Sequence, residues 1–156
     1  MQPGIRGKVI VITGAGRGLG RALALGLARE GARVAVLARD QHKAADTVEE
    51  ITARLPDAPR PLSVAADVAD EEQVRAAATA VHTHWDRVDA LINNAAWLPP
   101  RTNVLDLEVR DLHRVVDSNL IGCFLTTKHF APIMICGGGG RIIYLTSMAG
   151  VQANAG

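Results

Sequence analysis

The amino-acid sequence predicts an α/β fold in which a parallel sheet is doubly wound, with helices on both faces. Two observations carry this expectation. Short, continuous β-branched runs such as Val9-Ile10-Val11-Ile12 read as strands buried on both faces. Between such runs lie longer segments whose apolar residues recur every three or four positions, the period of a helix with one buried face. Strand and helix alternate through five strands, and βαβ units of this kind build parallel sheets. A length of 156 residues fits one domain. The expectation is therefore one unit, residues 1–156, with no repeat beyond the βα alternation.

After the first strand comes a glycine-rich turn, then a helix from Leu19 to about Glu30. Leu19, Leu23 and Leu27 fall every four residues and predict its apolar face. Gly26 inside it predicts a close approach to the sheet, because glycine there costs roughly 1 kcal/mol against alanine. Gly31 is the expected stop. Arg33–Ala38 reads as the second strand, and Ala44, Val48, Ile51 and Leu55 mark the next helix. Pro56–Pro61 reads as a loop and Leu62–Ala66 as the third strand. Asp70 and Gln73 have the spacing of a capping box, and Val74, Ala77, Val81 and Trp85 continue that helix. Val88–Ile92 is the expected fourth strand. Leu112 to about Ile135 reads as one long helix, and Arg141–Leu145 as the fifth strand. The Gly137–Gly140 run precedes a strand, so no helix N-terminus is on offer there and it reads as a turn.

Composition excludes several classes of function. Apolar residues make up 48% of the chain, yet no uninterrupted apolar stretch reaches the roughly 20 residues that span a bilayer. Met1–Lys8 contains no long apolar run of the kind a secretory signal needs. A formal net charge of +1, with acids and bases interspersed, argues against nucleic acid as the main partner. Cys123 and Cys136 have no metal or redox spacing, and a cytoplasmic protein with reduced, buried or half-buried thiols is the economical reading. His82 and His84 lie two apart and so do not share a helix face; His42, His113 and His129 have no ligand spacing either. No metal is expected.

The chemistry-bearing segment is Thr13-Gly-Ala-Gly-Arg-Gly-Leu-Gly20, between the first strand and the first helix. Glycines allow a tight turn and close backbone approach to a pyrophosphate, and a helix start offers free N–H groups with the positive end of its dipole. Gly14, Gly18 and Gly20 are spaced differently from the common G-x-G-x-x-G form. At the end of the second strand an acid usually binds the ribose hydroxyls and selects NAD. Here Ala38 takes that position and Arg39 follows. With Arg17 in the turn, two guanidinium groups are placed for a 2′-phosphate, which favours NADP(H) over NAD(H). Asp40 is the complication, since a one-residue shift would bring a carboxylate to the ribose.

Taken together, these segments resemble the short-chain dehydrogenase/reductase family. Thr13–Gly20, including Gly16, Arg17 and Leu19, is similar to the family's TGxxxGxG. Asp67-Val68 is similar to its adenine-contacting acid after the third strand. Asn93-Asn-Ala95 resembles its NNA motif, although the usual next glycine is Ala96. Asn119, in Ser118-Asn-Leu120, resembles its active-site asparagine. Ser147, in Leu145-Thr-Ser-Met-Ala-Gly150, resembles its catalytic serine. The resemblance covers nearly the whole chain. It implies a Rossmann-type fold and hydride exchange between a nicotinamide and a carbonyl or alcohol substrate. It implies that Ser147 holds the substrate oxygen, that Asn119 holds a relay water, and that a Tyr and a Lys of a YxxxK motif handle the proton. Trp97 is expected on the loop overlooking the nicotinamide.

That Tyr should fall about thirteen positions beyond Ser147, past Gly156. Tyr144, the sole tyrosine, lies within the fifth strand and is expected to be a packing residue. The expectation is thus a dinucleotide-binding domain incomplete at its C-terminus, truncated after the fifth strand, with that strand an open sheet edge and negligible turnover alone. A full-length form is expected to be a homo-oligomer. The alternative is a non-catalytic nucleotide-binding or protein-interaction module.

Overall fold

A computed structural model describes residues 4–100 and 103–148; Ala149 and Gly150 of the serine motif lie outside the described residues. Five strands, β1 (Val9–Thr13), β2 (Arg33–Ala38), β3 (Leu62–Ala65), β4 (Ala90–Asn93) and β5 (Arg141–Tyr144), form one sheet in the order β3-β2-β1-β4-β5. Every pairing is parallel. The helices are α1 (Gly18–Arg29), α2 (Gln41–Arg54), α3 (Glu71–Trp85), α4 (Val109–Val116) and α5 (Gly122–Cys136). The chain builds outward from β1 through β2 to β3, then crosses back to place β4 on the other side of β1. Ligands of such sheets sit beyond the strand C-termini where the order reverses.

The two-residue period of β1 divides the core. Val9 and Val11 face one cluster with Leu37, Val64, Val81 and Phe130, while Ile10 and Ile12 face another with Ala24, Ala28, Val36 and Ile51. Helices α3 and α5 thus cover one face and α1 and α2 the other. Each fully buried Val, Ile or Leu contributes about 1.5–3 kcal/mol. At the opposite end from the strand C-termini, Asp89 ties the sheet's base. Its carboxylate accepts from the Val9 N–H at 2.8 Å, from Lys8 Nζ at 3.1 Å and from the Arg87 guanidinium. Burial alone would raise the Asp89 pKa, but the Arg87 guanidinium, the Val9 N–H and the Lys8 ammonium outweigh it and hold it below the usual carboxylate value.

Several expectations need correction. The fully buried stripe of α1 is Gly20, Ala24 and Ala28; Leu23 and Leu27 are only partly buried and Leu19 is 60% exposed. Small residues face the sheet because the helix lies close to it. Gly26 is exposed and a Cβ there would meet nothing within 4 Å, so it is not the close-approach glycine. Gly31, at φ +85°, does terminate the helix. Asp70 caps α3 through the Gln73 N–H, but Gln73 Oε1 accepts from the Asp67 N–H, not from Asp70. The box is therefore shifted one turn outward and orders the loop after β3.

The long helix is interrupted. Between α4 and α5, residues Asp117–Ile121 form a π turn in which one extra residue widens the ladder. Tyr144 is half exposed, its hydroxyl 2.8 Å from Thr127 Oγ1, because among the described residues β5 pairs only with β4 and forms an edge. Ile143 and Leu145 beside it are likewise exposed. Cys123 is half buried, whereas Cys136, in the last turn of α5, is exposed. No helix among the described residues is long and apolar enough to cross a membrane.

Candidate functional site

A cavity of about 580 Å³ opens at the C-terminal ends of β1 to β4, at the point where the strand order reverses. The glycine turn forms its floor. Gly14 and Gly18 have φ of +65° and +54°, a region that favours glycine. A Cβ on Gly14 would stand 2.8 Å from the Ala95 Cα, and one on Gly20 would stand 2.5 Å from both Asn94 Nδ2 and the Gly14 oxygen. The turn is therefore packed against the end of β4 with no room for side chains.

The starts of α1, α2 and α3 all face this edge of the sheet. Asp40 caps α2 by accepting from the His42 and Lys43 N–H groups, and Asp70 caps α3. Arg17, at the cap position of α1, makes no side-chain capping bond, and no acidic residue lies in the first turn of α1. Gly18, Leu19 and Gly20 line the cavity. The first-turn N–H groups of α1 are thus left for an anion, which the helix dipole also favours.

Thr13 is a lock, not a wall. It is 1% exposed. Its hydroxyl accepts from the Asn94 and Ala95 N–H groups at 3.0 and 2.9 Å, fastening the end of β4 to β1. Asn94 Nδ2 returns a bond to the Thr13 carbonyl at 2.8 Å. Asn93 is also buried; its Oδ1 accepts from Thr126 Oγ1 at 2.7 Å, and its Nδ2 has no partner among the described residues. Thr13 and Asn93 therefore support the cavity from behind, and Asn94 lines it in their place.

At the other end of the cavity stand Arg17, Arg39, Asp67 and Val68, with Ala38 leaving space at the end of β2. Arg39 Nη1 lies 3.7 Å from Asp67 Oδ2. Asp40 also lines the cavity, but its carboxylate is engaged at the α2 start. Lys43 and Ser118 were not singled out by the sequence, yet both line the cavity. Lys43 was findable as a cation in the first turn of the helix that follows β2. Ser118 is oriented by the π turn, which no local pattern announces.

Asn119 sits in the middle of that π turn and clamps Trp97. Its Oδ1 accepts from the Trp97 N–H at 2.8 Å, and its Nδ2 donates to the Trp97 carbonyl at 3.0 Å. Trp97 lines the cavity, and the Arg114 guanidinium lies 4.5 Å from the centre of its ring. Ser147 lies three residues beyond β5, in the stretch that Leu145 anchors to the Asn93 carbonyl. Neither Asn119 nor Ser147 is among the described residues that line the cavity. No group of three or more His, Cys, Asp or Glu side chains among the described residues is placed to hold a metal.

The sequence matches the short chain dehydrogenase profile over residues 8–156. The chain belongs to the short-chain dehydrogenase family. Among curated relatives of this family, it is 38% identical over 150 residues to the 3-oxoacyl-[acyl-carrier-protein] reductase of Synechocystis sp., covering 96% of this chain and 59% of the relative. It is 36% identical over 155 residues to the NADPH-dependent aldehyde reductase-like protein, chloroplastic, of Arabidopsis thaliana, covering 92% and 56%. Its fold superposes with a TM-score of 0.87 on a 7 alpha-hydroxysteroid dehydrogenase complexed with NADH and 7-oxo glycochenodeoxycholic acid. That structure is 32% identical, and the match covers 96% of this chain and 57% of it. The chain thus spans a little over half the length of these short-chain dehydrogenases.

Proposed function

We propose that this chain is the nucleotide-binding part of an NADP(H)-dependent oxidoreductase that transfers a hydride between nicotinamide and a small carbonyl or alcohol substrate. The observation that carries the reading is the uncapped start of α1 over a glycine floor, beside two helices whose starts are capped. A diphosphate is the group that fits there. Gly14, Gly16, Gly18, Leu19 and Gly20 would hold it, with Val68 and Asp67 beside the adenine and Ala95 along the chain of the cofactor. The bound nicotinamide supplies or accepts the hydride.

Relatives differ in cofactor. One carries NADPH in its name and another was solved with NADH. The residues at the β2 end support the phosphorylated form, since Ala38 replaces an acid and Arg17 and Arg39 bring positive charge. The likeness to the family motif supports Ser147 as the holder of the substrate oxygen, and Asn119 as the residue that orders the loop and a relay water. The 156 residues contain no Tyr-x-x-x-Lys. Loss of a general acid alone lowers rate by about 10²–10⁴, so the turnover expected of this chain by itself is negligible.

The test is titration with NADPH and NADH, followed by cofactor fluorescence, which needs no catalysis. NADPH should bind more tightly, and Arg39→Ala should weaken NADPH much more than NADH. Equal effects on the two nucleotides refute the cofactor assignment, and absence of binding refutes the oxidoreductase reading. Robust NADPH-dependent carbonyl reduction by this chain refutes the turnover argument.

A further inference from the structure

The geometry points to Lys43 as a specificity residue for the 2′-phosphate, a role that rests on the oxidoreductase reading and extends it onto the first turn of α2. Two contacts fix Lys43 relative to the glycine turn. A Cβ built on Gly16 would stand 2.8 Å from the Lys43 Cβ, so the root of the lysine lies directly against the turn. One turn further on, the fully buried Thr47 donates its hydroxyl to the Ala15 carbonyl at 3.1 Å, pinning α2 to the same turn. Lys43 is thus referenced to the diphosphate cradle itself. Its side chain is half exposed, as Arg39's is, but it is Lys43 whose root packs against the turn.

Charge counting gives Lys43 its weight. Three cations, Arg17, Arg39 and Lys43, stand at this end of the cavity with two carboxylates, Asp40 and Asp67. Asp67 faces Arg39 at 3.7 Å, and Asp40 Oδ2 faces Lys43 Nζ at 3.8 Å. The formal surplus is therefore one positive charge. A 2′-phosphate brings about two negative charges, whereas the ribose hydroxyl of NAD(H) brings none. Without Lys43 the surplus falls to zero and the electrostatic reason to prefer NADP(H) goes with it. Without the Asp40 charge it rises to two.

The experiment titrates NADPH and NADH, by cofactor fluorescence, into the wild-type chain and the variants Lys43→Gln, Lys43→Arg and Asp40→Asn. Asparagine still caps a helix, so Asp40→Asn keeps the start of α2 intact. Circular dichroism confirms that each variant is folded. Lys43→Gln should raise the NADPH dissociation constant about tenfold, the order expected of one partly exposed charge-assisted hydrogen bond, and leave NADH within about twofold. Lys43→Arg should retain the preference, and Asp40→Asn should tighten NADPH alone. The wild-type preference for NADPH should also shrink with added salt, and shrink less in Lys43→Gln. Wild type that prefers NADPH while Lys43→Gln keeps the same preference overturns this inference and leaves the reading of function standing. Wild type that binds neither nucleotide overturns both.

Discussion

Helix α1 carries two interior glycines that the structure places in opposite circumstances, and alanine at each should move stability in opposite directions. Gly26 is exposed, and a Cβ there would meet nothing within 4 Å. Gly26→Ala should therefore gain the helix propensity difference, about 1 kcal/mol. Gly20 is buried, and a Cβ would stand 2.5 Å from Asn94 Nδ2 and the Gly14 oxygen and 2.9 Å from the Ala15 Cα. None of these is a free side-chain end, since the Asn94 amide is already donating to the Thr13 carbonyl at 2.8 Å and the Gly14 carbonyl at 3.3 Å. Overpacking costs about 1–3 kcal/mol, and a weakened Asn94 bond about 1 kcal/mol more. The propensity gain offsets roughly the latter. Gly20→Ala should therefore destabilise by about 1–3 kcal/mol. Urea unfolding reads both variants, as shifts in midpoint with little change in slope. In thermal melts, each kcal/mol corresponds to about 2–4 °C for a chain of this size. A Gly20→Ala variant as stable as wild type, or a Gly26→Ala variant less stable, would falsify the close-approach argument.

Three further outcomes follow from other parts of the fold. Arg17 has the extended backbone of a cap position without a capping side chain, so Arg17→Asp should raise stability by about 0.5–2 kcal/mol while weakening nucleotide binding; unchanged binding in fluorescence titration would contradict the anion-cradle reading. Asp89→Ala removes the acceptor for the Val9 N–H and the counter-charge of Lys8 and Arg87, with an expected loss of about 1–3 kcal/mol at neutral pH. The folded-state pKa of Asp89 is lowered, so its contribution is complete above the ordinary carboxylate value and disappears as pH falls through the folded value. The gap between wild type and variant should close in acid, and a gap constant down to acid pH would count against that linkage. Cys136 is exposed, whereas Cys123 is half buried with its thiol pKa raised by burial. Iodoacetamide followed by peptide mass mapping should modify Cys136 first, and the reverse order would show that the α5 packing is misplaced.

Most of the sheet was legible because its central strands, β1, β2 and β4, are largely buried on both faces and their sequence says so with little competition. Arg33–Ala38 has the bounds the sequence predicts, and the other strands differ by one or two residues at their ends. Helix faces were less legible where small residues do the packing. Leu19, Leu23 and Leu27 make a plausible stripe, but hydrophobicity does not encode distance, and a helix held close to the sheet must present Gly20, Ala24 and Ala28 instead. The π turn had no local signal at all. Residues 117–121 read as ordinary helix, and the extra residue is visible only through its consequence, the aim of Asn119 at the Trp97 backbone.

The same division separates the site residues that motifs announce from those that electrostatics requires. A glycine pattern identifies the floor of the cavity, because only glycine survives at Gly14 and Gly20 once β4 is packed against them. It is silent on Thr13 and Asn93, whose place in the motif says nothing about facing the ligand; both turn inward and spend their hydrogen bonds on holding neighbours in position. Capping supplies the complementary argument. Stability alone would place an acid or hydroxyl at the start of every helix, as Asp40 and Asp70 do for α2 and α3. At α1 that stabilisation is forgone, and the first-turn donors open onto the cavity. The start of α4 also lacks a side-chain cap, so it is the uncapped start together with the glycine floor and the cavity at α1 that supports the proposed diphosphate site.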